Sequence, residues 1–152
     1  MNGNNNGKSF KRCPMCLKDW EDREAFLNDH TLELNGYDAD FDQLEFGLLY
    51  FTHRVAGCYS TMAIEAREFF SLYQGAKYAE NLMGSDQCTG KCLKTGDLGA
   101  CPAHCRFAFV REVVQIIKKR QHYRPDSGLH RILLDGGCYK ESEKIEEGYG
   151  NK

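Results

Sequence analysis

No long hydrophobic run occurs in this chain of 152 residues. The longest apolar stretch, around "GLLYF", falls far short of the roughly 18 residues that cross a membrane as a helix, so no span is expected. The opening "MNGNNNGKSFKRC" lacks the apolar segment of a secretory signal. Residues 1–10 read as a disordered polar tail, and the chain is expected to be cytoplasmic. Neither a P-loop nor a Rossmann glycine motif is present, which removes the common phosphate-binding enzymes. With a net charge of −2 and a pI near 6.2, the chain also lacks the broad basic field of most nucleic-acid binders. No internal repeat is visible beyond the recurrence of cysteine pairs. The length suits one domain or two small ones.

Net charge is small but unevenly placed. Between Asp19 and Glu45 stand ten acidic residues and one arginine; between Arg106 and Arg124 stand six basic residues and one glutamate. Such runs are most often solvated faces. They could also pair with each other, or attract a charged partner. The basic end near His122, Tyr123 and Arg124 has the mixture of cations and an aromatic that suits nucleic acid, a weaker reading here.

Cysteine, by contrast, is abundant, with eight in the chain. In a reducing compartment clustered thiols bind metal or do redox chemistry more often than they form disulfides. As disulfides, eight cysteines would allow about 105 pairings. As ligands they fall into groups almost at once.

The first group is "CTGKCLKTGDLGACPAHC", which carries Cys88, Cys92, Cys101 and Cys105 in eighteen residues. Zinc and iron–sulfur clusters both need several thiolates converging on one point. A C-x3-C pair on a helix places both sulfurs on one face, so Cys101 and Cys105 are expected one turn apart near a helix start. The glycine-rich loop would fold back to supply Cys88 and Cys92. His104 is a substitute ligand. Buried core thiols, two disulfides and a catalytic dithiol compete less well. Zinc leads over an iron–sulfur cluster, and spacing alone does not choose between them.

The second group starts from "CPMC". A CPxC turn lets Cys13, Cys16 and the flanking amides face one ion, and it needs a second pair elsewhere. His53 and Cys58, spaced H-x4-C in "FTHRVAGC", offer it; Cys138 is the rival to His53. Over residues 10–64 this pattern resembles zinc ribbons, in which one knuckle packs against another on a β-hairpin. It departs from them in having H-x4-C where a second C-x2-C is usual. The resemblance implies a site of three cysteines and one histidine: Cys13, Cys16, His53 and Cys58. The succession of "CPMC", "FGLLYFTHRVAGC", "CTGKC" and "CPAHCRFAFVREVVQII" is similar to small cysteine-rich bacterial proteins of uncharacterised role, and implies no activity.

The remaining candidates are weaker. Asp38, Asp40 and Asp42 alternate as in a calcium loop, but Gln43 and Leu49 stand where an EF-hand needs glycine and glutamate, so a solvated turn is expected. Cys58 beside His53 could be a nucleophile and its base, but a ligand role fits better. His30, His122 and His130 are isolated. Trp20, just after the knuckle, is expected to pack over the metal site.

The expected fold is α+β. A short acidic helix lies in "EDREAFLNDH", a turn at Asn35-Gly36 and a helical turn in "FDQLEF". A hairpin pairs Leu48–Thr52 with Tyr59–Ile64, and a helix follows with Ala66, Phe69, Phe70 and Tyr73 on one face. The strongest helix runs from Pro102 to about Arg120, with Phe107, Val110, Val113, Val114 and Ile117 as its apolar stripe. These divide into a ribbon-like unit over 11–82, a four-cysteine loop plus helix over 83–135, and a flexible tail over 136–152, packed as one compact domain. The functional expectation is a non-enzymatic module with two structural zinc ions that presents a surface to a protein partner. The alternative is an electron-transfer or redox-sensing protein with an iron–sulfur cluster at Cys88, Cys92, Cys101 and Cys105. A hydrolytic zinc enzyme using Asp42 or Glu45 comes third.

Overall fold

Strict alternation from Leu48 to His53 sets Leu49, Phe51 and His53 on one side of a strand, and all three are buried. A computed structural model describes residues 7–122, which fall within one compact unit. Its strands are β1 (Lys11–Arg12), β2 (Asp19–Trp20), β3 (Leu32–Asp38), β4 (Leu48–His53) and β5 (Thr61–Glu65); its helices are α1 (Arg23–Leu27) and α2 (Ala108–His122). Strands β1 and β2 form a two-stranded antiparallel ribbon. Strands β3, β4 and β5 form an antiparallel sheet in that order. The fold is α+β, and the expected hairpin is β4–β5, with Phe51 opposite Met62.

Strand β3 corrects one expectation. Asn35-Gly36 makes no turn. The strand runs on through it, with a shift of register between Leu34 and Gly36 that marks a bulge. The need for glycine is steric: a Cβ there would stand 3.1 Å from both the Tyr50 ring and the Thr95 methyl. Beside it the Tyr37 N–H donates to the Thr95 carbonyl at 2.9 Å, so the cysteine loop is laced to the sheet edge. A turn signal read locally is here a close-approach signal.

The acidic helix forms as α1. Asp22 caps it, accepting from the Ala25 N–H at 2.8 Å, and its buried face is Phe26 and Leu27. Residues Ala66–Leu72 coil as a 3-10 helix instead of the expected α-helix. The expected face still points inward: Phe69 is buried, and Phe70 and Tyr73 pack on Phe109, with centroids 4.8 and 6.4 Å away. The helical turn expected in "FDQLEF" forms over Leu44–Phe46.

Helix α2 starts six residues later than expected. Pro102 is not its first residue, and Cys101 and Cys105 lie in the irregular chain before it. The Arg106 N–H donates to the Glu80 carbonyl at 2.8 Å, which draws this approach off the helical path. The stripe is as expected, with Phe107, Val110, Val113, Val114 and Ile117 all buried. At the far end Gln121 acts as a surrogate strand: it accepts from the Leu34 N–H and donates to the Leu32 carbonyl, closing the β3 edge.

One core runs through these elements. Phe26, Phe51 and Phe69 meet at its centre, and Phe10 packs against Phe26 and Phe69 at 5.6 and 6.0 Å. Composition places Phe10 in the loose tail, yet the core holds it. The two charged stretches meet in the ion pair of Arg120 with Glu24 at 2.7 Å. Arg111 departs from the solvated-face reading altogether, being 1% exposed. Residues 136–152, Cys138, His130, Tyr123 and Arg124 lie outside the described residues.

The α2 assignment is tested by a pair of substitutions. Ile117→Ala should cost about 2–5 kcal/mol in urea unfolding because its methyls fill the core. Lys119→Ala, on the exposed side, should change stability by less than about 0.5 kcal/mol. Equal costs at the two positions would contradict the packing.

Candidate metal centre

Two hairpin turns carry the centre. The first joins β1 to β2 and holds Cys13 and Cys16; the second follows His53, the last residue of β4, and carries Cys58 on the way to β5. They close alike. The Cys13 N–H donates to the Lys18 carbonyl and the His53 N–H donates to the Ser60 carbonyl, both at 2.8 Å. In each turn, therefore, the first ligand's amide bonds to the carbonyl two residues beyond the second ligand. In each, the residue just after the second ligand is left-handed: Leu17 at φ 67° and Tyr59 at φ 53°. That conformation strains a residue with a Cβ, and it turns the chain sharply around the ligand pair.

The two turns bring four ligand atoms together within 4.8 Å of one another: the sulfurs of Cys13, Cys16 and Cys58 and a ring nitrogen of His53. Three of the separations are those expected around one small cation. Zinc–sulfur bonds of about 2.3 Å and a zinc–nitrogen bond of about 2.0 Å at tetrahedral angles place sulfurs roughly 3.8 Å apart, and sulfur and nitrogen roughly 3.6 Å apart. Here Cys13 and Cys58 sulfurs are 3.5 Å apart, and His53 Nδ1 stands 3.5 Å from Cys16 and 3.6 Å from Cys58. These four residues lie close enough to hold a metal ion.

The surroundings orient the donors. Trp20 is buried, as expected, and meets the His53 ring edge-on with centroids 5.1 Å apart. Its indole N–H donates to Asp29 at 2.8 Å, and the other Asp29 oxygen takes the Thr31 amide and hydroxyl. The imidazole is thus wedged by a ring that is itself pinned. Burial alone would raise the Cys13 thiol, but the amides of Cys16 and Met15 and the Ser60 hydroxyl outweigh it and bring it down to about 5. Cys16 goes the other way: the Lys18 amide favours its thiolate, but desolvation and the neighbouring Cys13 and Cys58 raise it. The surroundings thus favour a thiolate at Cys13 and oppose a second one at Cys16, an opposition that a bound cation would relieve. Ser60, 3.1 Å from Cys13 and 3.5 Å from Cys58, is a neighbour that the sequence reading missed. Its signal was there: it follows Cys58 by two residues, as Lys18 follows Cys16.

The other cysteines are arranged differently. Cys88, Cys92, Cys101 and Cys105 line one cavity together with Phe107 and Arg111. Among the described residues, the group whose ligand atoms converge closely enough to hold an ion is that of the first centre. The expected helical face for Cys101 and Cys105 is not formed. His104 stacks flat on Tyr78 with centroids 4.4 Å apart. Burial raises the Cys92 thiol, against the opposing pull of Arg111. Burial, and after it the charge of Cys92, push the Tyr37 hydroxyl well above the ordinary phenol range.

Asp40 accepts from the Asp42 and Gln43 amides, as a turn-capping carboxylate does, in keeping with the solvated-turn reading. Among the described residues, no carboxylate joins the close ligand group at the first centre, so Asp42 and Glu45 are not placed there. His30 is exposed, and all seven described cysteines are free. No described helix is long and apolar enough to cross a membrane. The chain matches none of the protein-family models, curated proteins or solved structures with which it was compared.

Asp29 offers a direct test of the wedge. Asp29→Ala leaves the buried indole N–H without its acceptor and should lower stability by about 1–3 kcal/mol. Since Trp20 is the one tryptophan in the chain, its emission should shift in the same variant. An unchanged melt and unchanged emission would show that the Trp20–Asp29 bond does not support the centre.

Proposed function

We propose that this protein is a non-enzymatic zinc-binding module whose Cys13, Cys16, His53 and Cys58 centre is structural, and that it acts by presenting a surface to a protein partner. The observation that carries the reading is the convergence of four protein donors within 4.8 Å of one another, with three of their separations at 3.5–3.6 Å. A set closed by four protein ligands leaves no position for substrate, the pattern of structural rather than catalytic zinc. Three soft thiolates and one imidazole favour zinc over magnesium or calcium. The two facing turns, with matched closing bonds and matched left-handed residues, support a zinc-ribbon-like reading of this unit.

The partner surface follows from what the turns expose. Met15, Leu17 and Tyr59 are each about 60% exposed, and each lies within one residue of a ligand cysteine. An ion that clamps both turns would hold these apolar side chains in a fixed array at the tip, where a partner could cover them. Thiolate ligation needs a reducing compartment, consistent with a cytoplasmic protein.

Metal removal tests the reading. The zinc-loaded chain should lose one zinc and several kcal/mol of stability on substitution of Cys13→Ser or His53→Ala, given that structural zinc supplies about 10 kcal/mol or more to small domains. Elemental analysis and urea unfolding read the two effects. A variant that keeps its zinc and its unfolding midpoint would refute the assignment.

A further inference from the structure

Between Cys88 and Arg111 the chain wraps a small cavity of about 20 Å³, partly open to solvent. All four remaining described cysteines line it. Each sulfur has its own polar neighbour. The Gly90 N–H donates to Cys88 at 3.4 Å and the Leu82 N–H donates to Cys105 at 3.4 Å. The Arg111 guanidinium donates to Cys92 at 3.7 Å, and the Thr89 hydroxyl contacts Cys101 at 3.3 Å. Amides and a guanidinium aimed at sulfur are what a buried thiolate needs, since each stabilises negative charge.

Arg111 sets the electrostatics. A fully buried guanidinium needs compensation. It donates to the Gly99 carbonyl at 2.8 Å and to the Asp97 carbonyl, with the Asp97 carboxylate 3.5 Å away. It stands over the Tyr37 ring, 5.8 Å from its centroid. The Tyr37 hydroxyl is buried with no hydrogen-bond partner among the described residues. A buried hydroxyl without a partner among the described residues is costly, so the ground beside Arg111 has room for one more acceptor.

The spacing separates this cavity from the first centre. Four thiolates on one zinc crowd to roughly 3.8 Å of one another. In an iron–sulfur cluster the ligands stand farther apart, because inorganic sulfide and more than one iron lie between them. The same chain shows how it builds a single-ion site, with donors about 3.5 Å apart, and the second set is not built that way.

We infer that Cys88, Cys92, Cys101 and Cys105 ligate an iron–sulfur cluster, with Arg111 as its buried counter-charge. Arg111 offsets the negative charge that the cluster and its four thiolates bring into the fold, and favours the state reached by taking up one electron. This inference goes beyond the zinc reading and does not rest on it.

The test is iron, sulfide and zinc analysis of the full chain purified without oxygen from iron-supplied cells, with visible spectra before and after dithionite. The expected result is one zinc, two to four irons with equal sulfide, and a broad brown absorbance that bleaches as dithionite donates an electron. Cys92→Ser and Cys101→Ser should each lose at least tenfold of the iron and the colour while keeping zinc and Trp20 emission. Arg111→Gln should shift the reduction potential downward, and Arg111→Lys should restore most of it. Two zincs per chain with no colour would overturn the inference. So would absence of iron after anaerobic treatment with iron and sulfide, or colour that survives both cysteine substitutions. Zinc retention is scored separately, so loss of the first centre would be seen apart from failure of the second.

Discussion

Four donor atoms drawn to within bonding reach of one point are the constraint on which the N-terminal half depends. Two charged thiolates about 3.5 Å apart would repel, and a bound cation would convert that repulsion into attraction. The turns that hold the donors have little else to bind them: Pro14, Met15, Leu17, Gly57 and Tyr59 are exposed, and the Arg12–Asp19 pair beside the first turn is a surface ion pair of small worth. The ion would therefore act as the core of this end of the molecule. Its effect would pass inward through His53 to Trp20, and through Trp20 to Phe26 and the aromatic cluster.

The remainder of the fold is arranged around a second unusual group, Arg111. Most buried positions on α2 are aliphatic, and the single cation among them is the residue that reaches the cysteine loop. A loop of this length with four glycines cannot hold its shape through apolar burial alone. Arg111 holds it by binding its carbonyls, Gln115 adds a bond to the Leu98 carbonyl, and Thr95 ties it to β3. The two cysteine groups are thus held by opposite strategies. At one, backbone turns position ligands around a point; at the other, a buried side chain braces the loop that lines a small cavity.

Much of this was legible in the sequence because the signals were local. Alternation exposed β4 and β5, the 3.6-residue stripe exposed α2, and CPMC with H-x4-C picked out the four converging donors. The features that escaped depend on contacts distant in sequence. Asn35-Gly36 has the composition of a turn, and only the approach of Thr95 makes Gly36 the site of a bulge. Pro102 has the signature of a helix start, but Glu80 captures the Arg106 amide and delays the helix to Ala108. Arg111 reads as one charge in a basic run, and nothing nearby in sequence reveals that its partners lie at Asp97 and Gly99. The spacing C-x3-C suggested a helical face; the chain instead uses irregular backbone there, which spreads the sulfurs around a cavity.

The central claim is a single ion held by Cys13, Cys16, His53 and Cys58, and X-ray absorption at the zinc edge of the purified full-length protein tests it most directly. The account predicts a first shell of three sulfurs at about 2.3 Å and one nitrogen at about 2.0 Å. A shell dominated by oxygen, or protein that folds fully without zinc, would contradict it.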